Sequence, residues 1–405
     1  MHTRQLYRAL TAAALSALAL ASAAAAQAPS IRVAGRVQAH FRAASGDSSA
    51  NFNPNAVHSG FEIRRLRIQT DVRFGDNISL VIQPSFEMGA LRMRDAFLRV
   101  GLTPRVGITM GQEKSPFQRY ELNSSNNLLS IERGVRILAL RSPTDPGGEE
   151  GLNDLLVNNG YASHDLGAFV DVSTPDNRVV VKLGFANGSR ESATDVNNAK
   201  SFFGRATATL LSNADAQPVL QVGASLASRD RAVCATNCPA LPATTTAANT
   251  TFYADSVKRT SAIGLDLEYG GFRPGWHVFA DFATGDNVPL RRRVNGGRNS
   301  ANLRDTADSN VVKFVGIHLV AAYRKVLAPG AEPRLVQAIE PALRVDYTDP
   351  DTDAKGDHGT LITPALNVYF ANTVVLRAAL DLYRYRDAGS NRSAREFKIS
   401  WQANF

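Results

Sequence analysis

Residues 396–405 read Glu-Phe-Lys-Ile-Ser-Trp-Gln-Ala-Asn-Phe, and their alternation decides the class of fold. Phe397, Ile399, Trp401, Ala403 and Phe405 fall on one side of an extended chain. Glu396, Lys398, Ser400, Gln402 and Asn404 fall on the other. A period of two residues marks a β-strand with one apolar and one polar face. The pattern recurs upstream: Ile31, Val33, Val37 and Phe41 oppose Arg32, Arg36, Gln38 and His40, and Leu66, Ile68, Val72 and Phe74 oppose Arg65, Arg67, Gln69 and Arg73. Sixteen such segments are expected, at roughly 31–42, 61–74, 78–87, 91–101, 105–112, 166–172, 178–187, 201–211, 217–228, 259–270, 275–284, 311–326, 334–348, 360–371, 373–386 and 394–405.

The connections alternate in length. Long ones (43–60, 188–200, 229–258, 285–310, 349–359) are followed by short ones, such as Gly75 to Asn77 and Gly271 to Pro274. The exception is Met88 to Ala90, which is short where a long connection is due. A soluble sandwich has no reason to keep its long loops at one end, whereas an up-and-down membrane barrel does. A barrel with lipid outside and water inside also satisfies both faces and every backbone hydrogen bond. The expected fold is an all-β, 16-stranded antiparallel transmembrane barrel. Phe405 then sits where an interfacial aromatic girdle belongs.

Composition removes most alternatives. The chain has 405 residues, 44% hydrophobic and 20% charged, with a net charge of +8. That is a folded composition. No apolar run reaches the length of a membrane helix, and two cysteines cannot make a disulfide scaffold. The basic start (His2, Arg4, Arg8), the apolar run Ala9–Ala21 and the site Ala24-Ala25-Ala26 have the layout of a signal peptide. An anchoring helix is the alternative. Cleavage leaves residues 27–405 with a net charge of +6, because Arg4 and Arg8 go and no acid goes. An exported chain of this kind is not expected to meet nucleic acid.

Three stretches carry a family resemblance: Glu62-Ile-Arg64-Arg65-Leu-Arg67, Arg94-Asp95-Ala-Phe-Leu-Arg99 and Gly111-Gln-Glu-Lys114-Ser-Pro116-Phe117. They continue in Leu122-Asn-Ser124-Ser125 and Ile131-Glu132-Arg133. The chain resembles the phosphate-selective porins of Gram-negative outer membranes, best over about 60–135. The resemblance implies a homotrimer of sixteen-stranded barrels in outer-membrane lipid and lipopolysaccharide, with the third long loop folded into each pore. It also implies anion binding by an Arg/Lys ladder with a nearby Asp and loop serines. Carried onto matching positions, these are Arg64, Arg65, Asp95, Ser124, Ser125 and Arg133. The sequence departs from the family where phosphate-binding members place Lys beside the serine pair. Glu121, Leu122 and Asn123 stand there instead, with Lys114 and Arg119 farther along the chain.

The residues themselves point the same way. Arg32, Arg36 and Arg42 on the first strand are placed to face Arg65, Arg67 and Arg73 on the second, with only Asp71 among the polar positions opposing them. Such a face concentrates anions in a lumen of reduced dielectric, and guanidinium matches phosphate with paired hydrogen bonds. A solvated charged face is the duller reading. Arg64 and Arg65 cannot both point inward in a regular strand, but a bulge would allow it, because Ile63 and Leu66 are out of step. The insert at 113–165 is too long for a hairpin loop. Folded inward, it presents Ser124, Ser125, Arg133, Arg136 and Arg141; folded outward, it is a surface loop.

Other features have plainer readings. Cys234 and Cys238 suggest a small disulfide in an oxidising compartment, and no further zinc ligands lie nearby in sequence. Arg291–Arg293 with Arg298 and Arg304 form a basic loop that gathers anions, holds lipid phosphates or is merely solvated. Asp349, Asp351, Asp353 and Asp357 only partly fit a calcium loop. No G-x-S-x-G, H-E-x-x-H or phosphate-cradling Gly-Lys-Ser/Thr is present. The expectation is passive transport of small anions, phosphate or related oxyanions, with no cofactor, no metal and no enzyme activity. The alternatives are a porin of other solute preference, a secreted all-β binding protein and a barrel enzyme of lipase type.

Overall fold

The structure, a computed structural model, describes residues 28–46, 58–137, 151–188, 191, 200–233, 256–287, 311–327, 335–371, 373–387 and 390–405. The signal segment 1–26, Cys234, Cys238, Arg141 and the Arg291–Arg304 cluster lie outside the described residues. Strands form at every expected place: β1 (Ser30–Gly46), β2 (Ser59–Phe74), β3 (Ile78–Glu87), β4 (Ala90–Thr103), β5 (Val106–Lys114), β6 (His164–Ser173), β7 (Val179–Ala186) and β8 (Ser201–Ser212). They continue as β9 (Pro218–Val233), β10 (Ser256–Tyr269), β11 (Gly275–Asn287), β12 (Val312–Val326), β13 (Ala338–Asp349), β14 (Gly359–Ala371), β15 (Val374–Asp387) and β16 (Ser390–Asn404). Each pairs with its sequence neighbours, and β1 pairs with β16 to close the barrel. The hairpin β15–β16 joins β3–β4 as a short connection on the long-loop side.

The two faces have opposite chemistry. Exposed side chains include Ile31, Val33, Phe61, Ile63, Leu226, Ile263, Leu265 and Trp401. Their buried alternates include Arg36, Gln38, His40, Arg42, Arg65, Arg344, Arg377 and Lys398. This inverts the soluble pattern, and it is what a barrel set in hydrocarbon requires. Glycine fits the β10–β11 turn for a specific reason. Gly270 has φ +77, and a Cβ there would lie 1.9 Å from the Trp276 carbonyl oxygen.

Two bulges re-aim charged pairs. Gln38 stands opposite Arg65 but Ala39 stands opposite Ile63, so Arg64 is the extra residue. The expected bulge is therefore present, and it brings Arg64 and Arg65 to the same carboxylate. A second shift sets Gln83 against Asp95 and Pro84 against Met93, leaving Arg94 as the extra residue. Proline, with no N–H to donate, is at home in such an interruption.

The connection between β5 and β6 supplies the apolar core that the barrel wall lacks. It holds a single turn, α1 (Arg119–Leu122), a 3₁₀ turn at Ser125–Asn127 and α2 (Leu152–Asn159). Leu152, Leu155 and Leu156 bury one stripe of α2 at helical spacing. Gly160 ends the helix at φ +73, donating to Val157. With Phe117 and Tyr161, the three leucines join Phe169, Ala186, Phe203, Ala227, Ala262, Ala283 and Phe314 of β6 to β12 in one cluster. The strand side is rich in alanine because the segment occupies the space that larger side chains would fill.

Phe405 fastens the seam. Its N–H donates to the Gly35 carbonyl at 2.9 Å, and the Gly35 N–H donates back to the Phe405 carbonyl at 2.8 Å. Its ring lies over Gly35, where a Cβ would meet it at 2.3 Å. Deleting Phe405 removes both bonds, so outer-membrane yield is expected to fall while the conductance of assembled protein stays unchanged. Equal yields of truncated and full chains would show the residue to be incidental.

Candidate functional site

The expected site residues fall into three groups. Arg36, Lys114, Ser124 and Arg133 converge. Arg36 Nη1 donates to Ser124 Oγ at 3.1 Å. Lys114 Nζ donates to the Asn123 carbonyl at 3.2 Å and also to that of Glu121. Arg133 Nη2 reaches the same Asn123 carbonyl, while its Nε donates to the Tyr120 carbonyl at 3.2 Å. Lys114 thus arrives beside the serine pair from the end of β5, although the sequence holds it ten residues away. Arg119 goes elsewhere, pairing with Glu268 and lying 3.7 Å over the Phe279 ring. Ser124 is exposed, and its hydroxyl also accepts from the Asn126 N–H at 3.3 Å. Ser125 is buried; its carbonyl accepts from Gln38, and its hydroxyl has no partner among the described residues.

The electrostatics of this group are cationic. Arg65, Arg67 and Arg133 are the cations acting on Arg36, and Arg133 and Arg67 act on Lys114. Neither Arg36 nor Lys114 has an ion-pair carboxylate among the described residues. Arg133 has Glu121 at 3.6 Å. Burial pushes the Glu121 carboxyl up, but Arg133 and Lys114 outweigh it and hold the group low.

A second group is neutralised. Arg64 grips Glu132 with two bonds, Nε at 2.5 Å and Nη2 at 3.2 Å, and Arg65 Nη2 adds a third at 2.8 Å. Arg136 stands 3.4 Å away. Burial raises the Glu132 carboxyl, yet these arginines hold it well below the usual range. Arg67 is paired with Glu87 at 2.5 Å and bonded to Ser85 at 3.0 Å, and Arg94 shares Glu87. Asp95 is engaged by His164 at 3.3 Å.

The third position stands apart. Arg32 lies opposite Asp71, not opposite an arginine. With Asp71, Arg73, Asp76, Asn77 and Arg99 it lines a cavity of about 890 Å³ beside the β2–β3 turn. The facing ladder is therefore partial: Arg36 opposes Arg67, but Arg65 opposes Gln38, Arg73 opposes Ser30 and Arg42 opposes Gly60. Asp71 is also not alone among the polar positions of the first two strands. Glu62 faces His40 at 3.6 Å and Arg136 at 3.2 Å, and Arg42 pairs with Glu396 at 2.9 Å.

Sequence reasoning missed the residues that hold the segment in place. Arg344 Nη1 donates to the Glu132 carbonyl at 2.7 Å, and Nη2 reaches that of Arg133. Arg377 Nη2 donates to the Asn126 carbonyl at 2.8 Å. Tyr120 stacks on His318 at 3.6 Å. The turn that presents Glu132 is strained, because Ile131 has φ +70. A β-branched residue rarely adopts that conformation, which costs about 1–3 kcal/mol. Asp154, buried and accepting from the Val135 N–H at 2.9 Å, is pushed by burial up to about 7.

Comparison with known proteins completes the picture. The family model described as "Phosphate-selective porin O and P" matches residues 31–255, more than half of the chain. The chain belongs to that family of porins. No curated protein matches this porin. Among solved structures, the trimer form of OmpT from Vibrio cholerae is similar over 94% of this chain and 100% of its own, at 13% identity and TM-score 0.54. The outer membrane channel DcaP of Acinetobacter baumannii covers 93% and 97%, at 13% identity and TM-score 0.55. An anion-selective porin from Comamonas acidovorans covers 93% and 100%, at 12% identity and TM-score 0.55. At such identities the likeness is one of fold. A closed barrel of the porin family is a channel, which sets aside the secreted binding protein.

Proposed function

We propose that this porin conducts small anions by passive diffusion, phosphate or related oxyanions among them, past an arginine- and lysine-lined constriction. The observation that carries the proposal is the exposed Ser124 hydroxyl, bonded to Arg36 and flanked by Lys114 and Arg133 at the Asn123 carbonyl. The family membership and the anion-selective fold relative support it. The segment 115–163 serves as the constriction in this proposal, because it is bonded to the buried face of β1, β2, β13 and β15 and packs on that of β6 to β12. The mature chain begins near Gln27 after signal cleavage and works as an outer-membrane homotrimer among lipid and lipopolysaccharide. Transport of this kind involves no catalysis.

The test is a bilayer recording in a KCl gradient. The reversal potential is expected on the anion side, and added phosphate is expected to reduce the chloride current. Two unit charges about 4 Å apart attract by roughly 4 kcal/mol at an effective dielectric of 20, which is enough to set selectivity after screening. Substituting Glu for Arg36 and Lys114 together should move the reversal potential toward the cation side. Arg65 is a poorer target, since Glu132 already neutralises it. A reversal potential near zero in the wild type would point instead to a porin of broad solute preference. Unheated gel migration tests the trimer, and a detergent-free monomer would exclude it.

A further inference from the structure

We infer that Glu132 is a specificity-determining residue: a carboxylate tethered to the pore segment that occupies the Arg64–Arg65 pair in place of a transported anion and so limits how tightly this porin holds one. The inference rests on the proposed anion conduction and deepens it.

Three features converge on one contact. The bulge in β2 is what turns Arg64 to the same side as Arg65, at the cost of a ladder interruption. The strained backbone at Ile131 is what turns the following carboxylate toward that pair. Glu132 then uses both of its oxygens, Oε1 to Arg64 Nε and Oε2 to Arg64 Nη2 and Arg65 Nη2. Two oxygens on a guanidinium fork is also how such a fork receives phosphate. The anion seat made by Arg64 and Arg65 is therefore filled from within the chain. Both sides of the contact are largely closed to solvent, with the Glu132 side chain 6% exposed and that of Arg65 5%.

A purely mechanical role for Glu132 is poorly motivated. The same segment is already tied to the wall through the backbone carbonyls of Ser125, Asn126, Glu132 and Arg133, which accept from Gln38, Arg377 and Arg344. What the Glu132 side chain adds is charge. Beside it, Arg36 and Lys114 have no ion-pair carboxylate among the described residues, Arg133 faces Glu121 at 3.6 Å, and Glu87 holds Arg67 while also lying 3.8 Å from Arg64. A pore with fewer free cations binds its solute more weakly and releases it sooner, which favours flux over capture.

The test is Glu132→Gln in the full-length trimer, measured in bilayers with chloride as carrier and inorganic phosphate as blocker. The amide keeps the shape and takes the carboxylate charge off Arg64 and Arg65, leaving Glu87 at 3.8 Å from Arg64 and Gln38 accepting from Arg65 at 3.0 Å. The phosphate concentration for half-block should fall about fivefold, with a reversal potential farther to the anion side. Adding Arg64→Gln and Arg65→Gln to that variant should abolish the gain. Folded E132Q with unchanged or weaker phosphate block would overturn the inference. Should E132Q fail to reach the membrane folded, R64Q/R65Q in the wild-type background carries the test. There Glu132 keeps only Arg136, at 3.4 Å, as an arginine partner, and anion preference should fall; an unmoved reversal potential would place Glu132 outside the conducting path and overturn the inference as well. A wild-type pore that prefers cations would instead defeat the proposed function, so the two failures are separable.

Discussion

Replacing Arg344 with alanine is expected to free the segment between β5 and β6 from β13 and, if that segment forms the proposed constriction, to raise single-channel conductance severalfold. Arg344 is 1% exposed and spends every arm of its guanidinium. Nε donates to Asp346 at 3.0 Å, Nη1 to the Glu132 carbonyl at 2.7 Å, and Nη2 to the Arg133 carbonyl. Alanine takes the guanidinium away from both carbonyls, leaving that of Arg133 to the Tyr120 hydroxyl and that of Glu132 to the Ser130 hydroxyl at 3.4 Å, and it leaves Asp346 with His318, at 2.5 Å, as its ion-pair partner among the described residues. Breaking a buried ion pair from one side typically costs about 3–5 kcal/mol. The barrel wall has its own ladder of backbone bonds, so the loss should fall on the docking of the segment. Lysine should not rescue the variant, because an ammonium cannot reproduce the planar fork that spans two carbonyls and a carboxylate. The comparison is conductance of R344A, R344K and wild type at equal salt. Identical currents would mean that Arg344 holds nothing that constrains the pore.

Substituting alanine for Leu155 and Leu156 together should have a comparable effect from the opposite side. Both are 0–1% exposed in the cluster formed with Phe169, Phe203 and Phe314. Large-to-small changes at such sites cost about 2–5 kcal/mol each. A segment stripped of both should undock and fluctuate, giving larger and noisier open-channel currents. The reciprocal change, Gly316→Leu, should act alike by crowding, since even a Cβ there would lie 2.5 Å from Leu152 Cδ1. Outer-membrane yield is expected to hold in both variants, because strand pairing does not depend on the segment. Quiet wild-type currents from L155A/L156A would sink the idea that this cluster sets the constriction.

The barrel was legible because strand periodicity and turn residues are local properties of the chain. Even the β2 bulge could be read, since Ile63 and Leu66 break step within four residues. The pairing of charges could not be read. Glu132 meets Arg64 across 68 residues and Arg344 meets the Glu132 carbonyl across 212, so both contacts depend on where a long irregular segment lies in the barrel. An arginine-rich face consequently looks like an unopposed ladder in sequence and proves largely neutralised in space. Irregular backbone rather than distance hid the approach of Lys114 to the Asn123 carbonyl nine residues on, where the sequence suggested a missing lysine. Arg344 and Arg377 carried a usable signal, because both occupy polar positions in alternating strands.

The seam between β1 and β16 also has a bearing on how the barrel is made. Fifteen of the sixteen strand pairings join neighbours in the chain, whereas this one joins Arg36 to Asn404 and Gly46 to Ala394. Entropy makes that junction slow to find, since the chain between must be ordered or searched before the ends meet. Until then the growing sheet has two bare edges, each a template for another chain. Survival in transit therefore depends on how long a nearly finished sheet can be kept from pairing with its neighbours. A defect at this one seam would be expressed as aggregation rather than as a leaky channel.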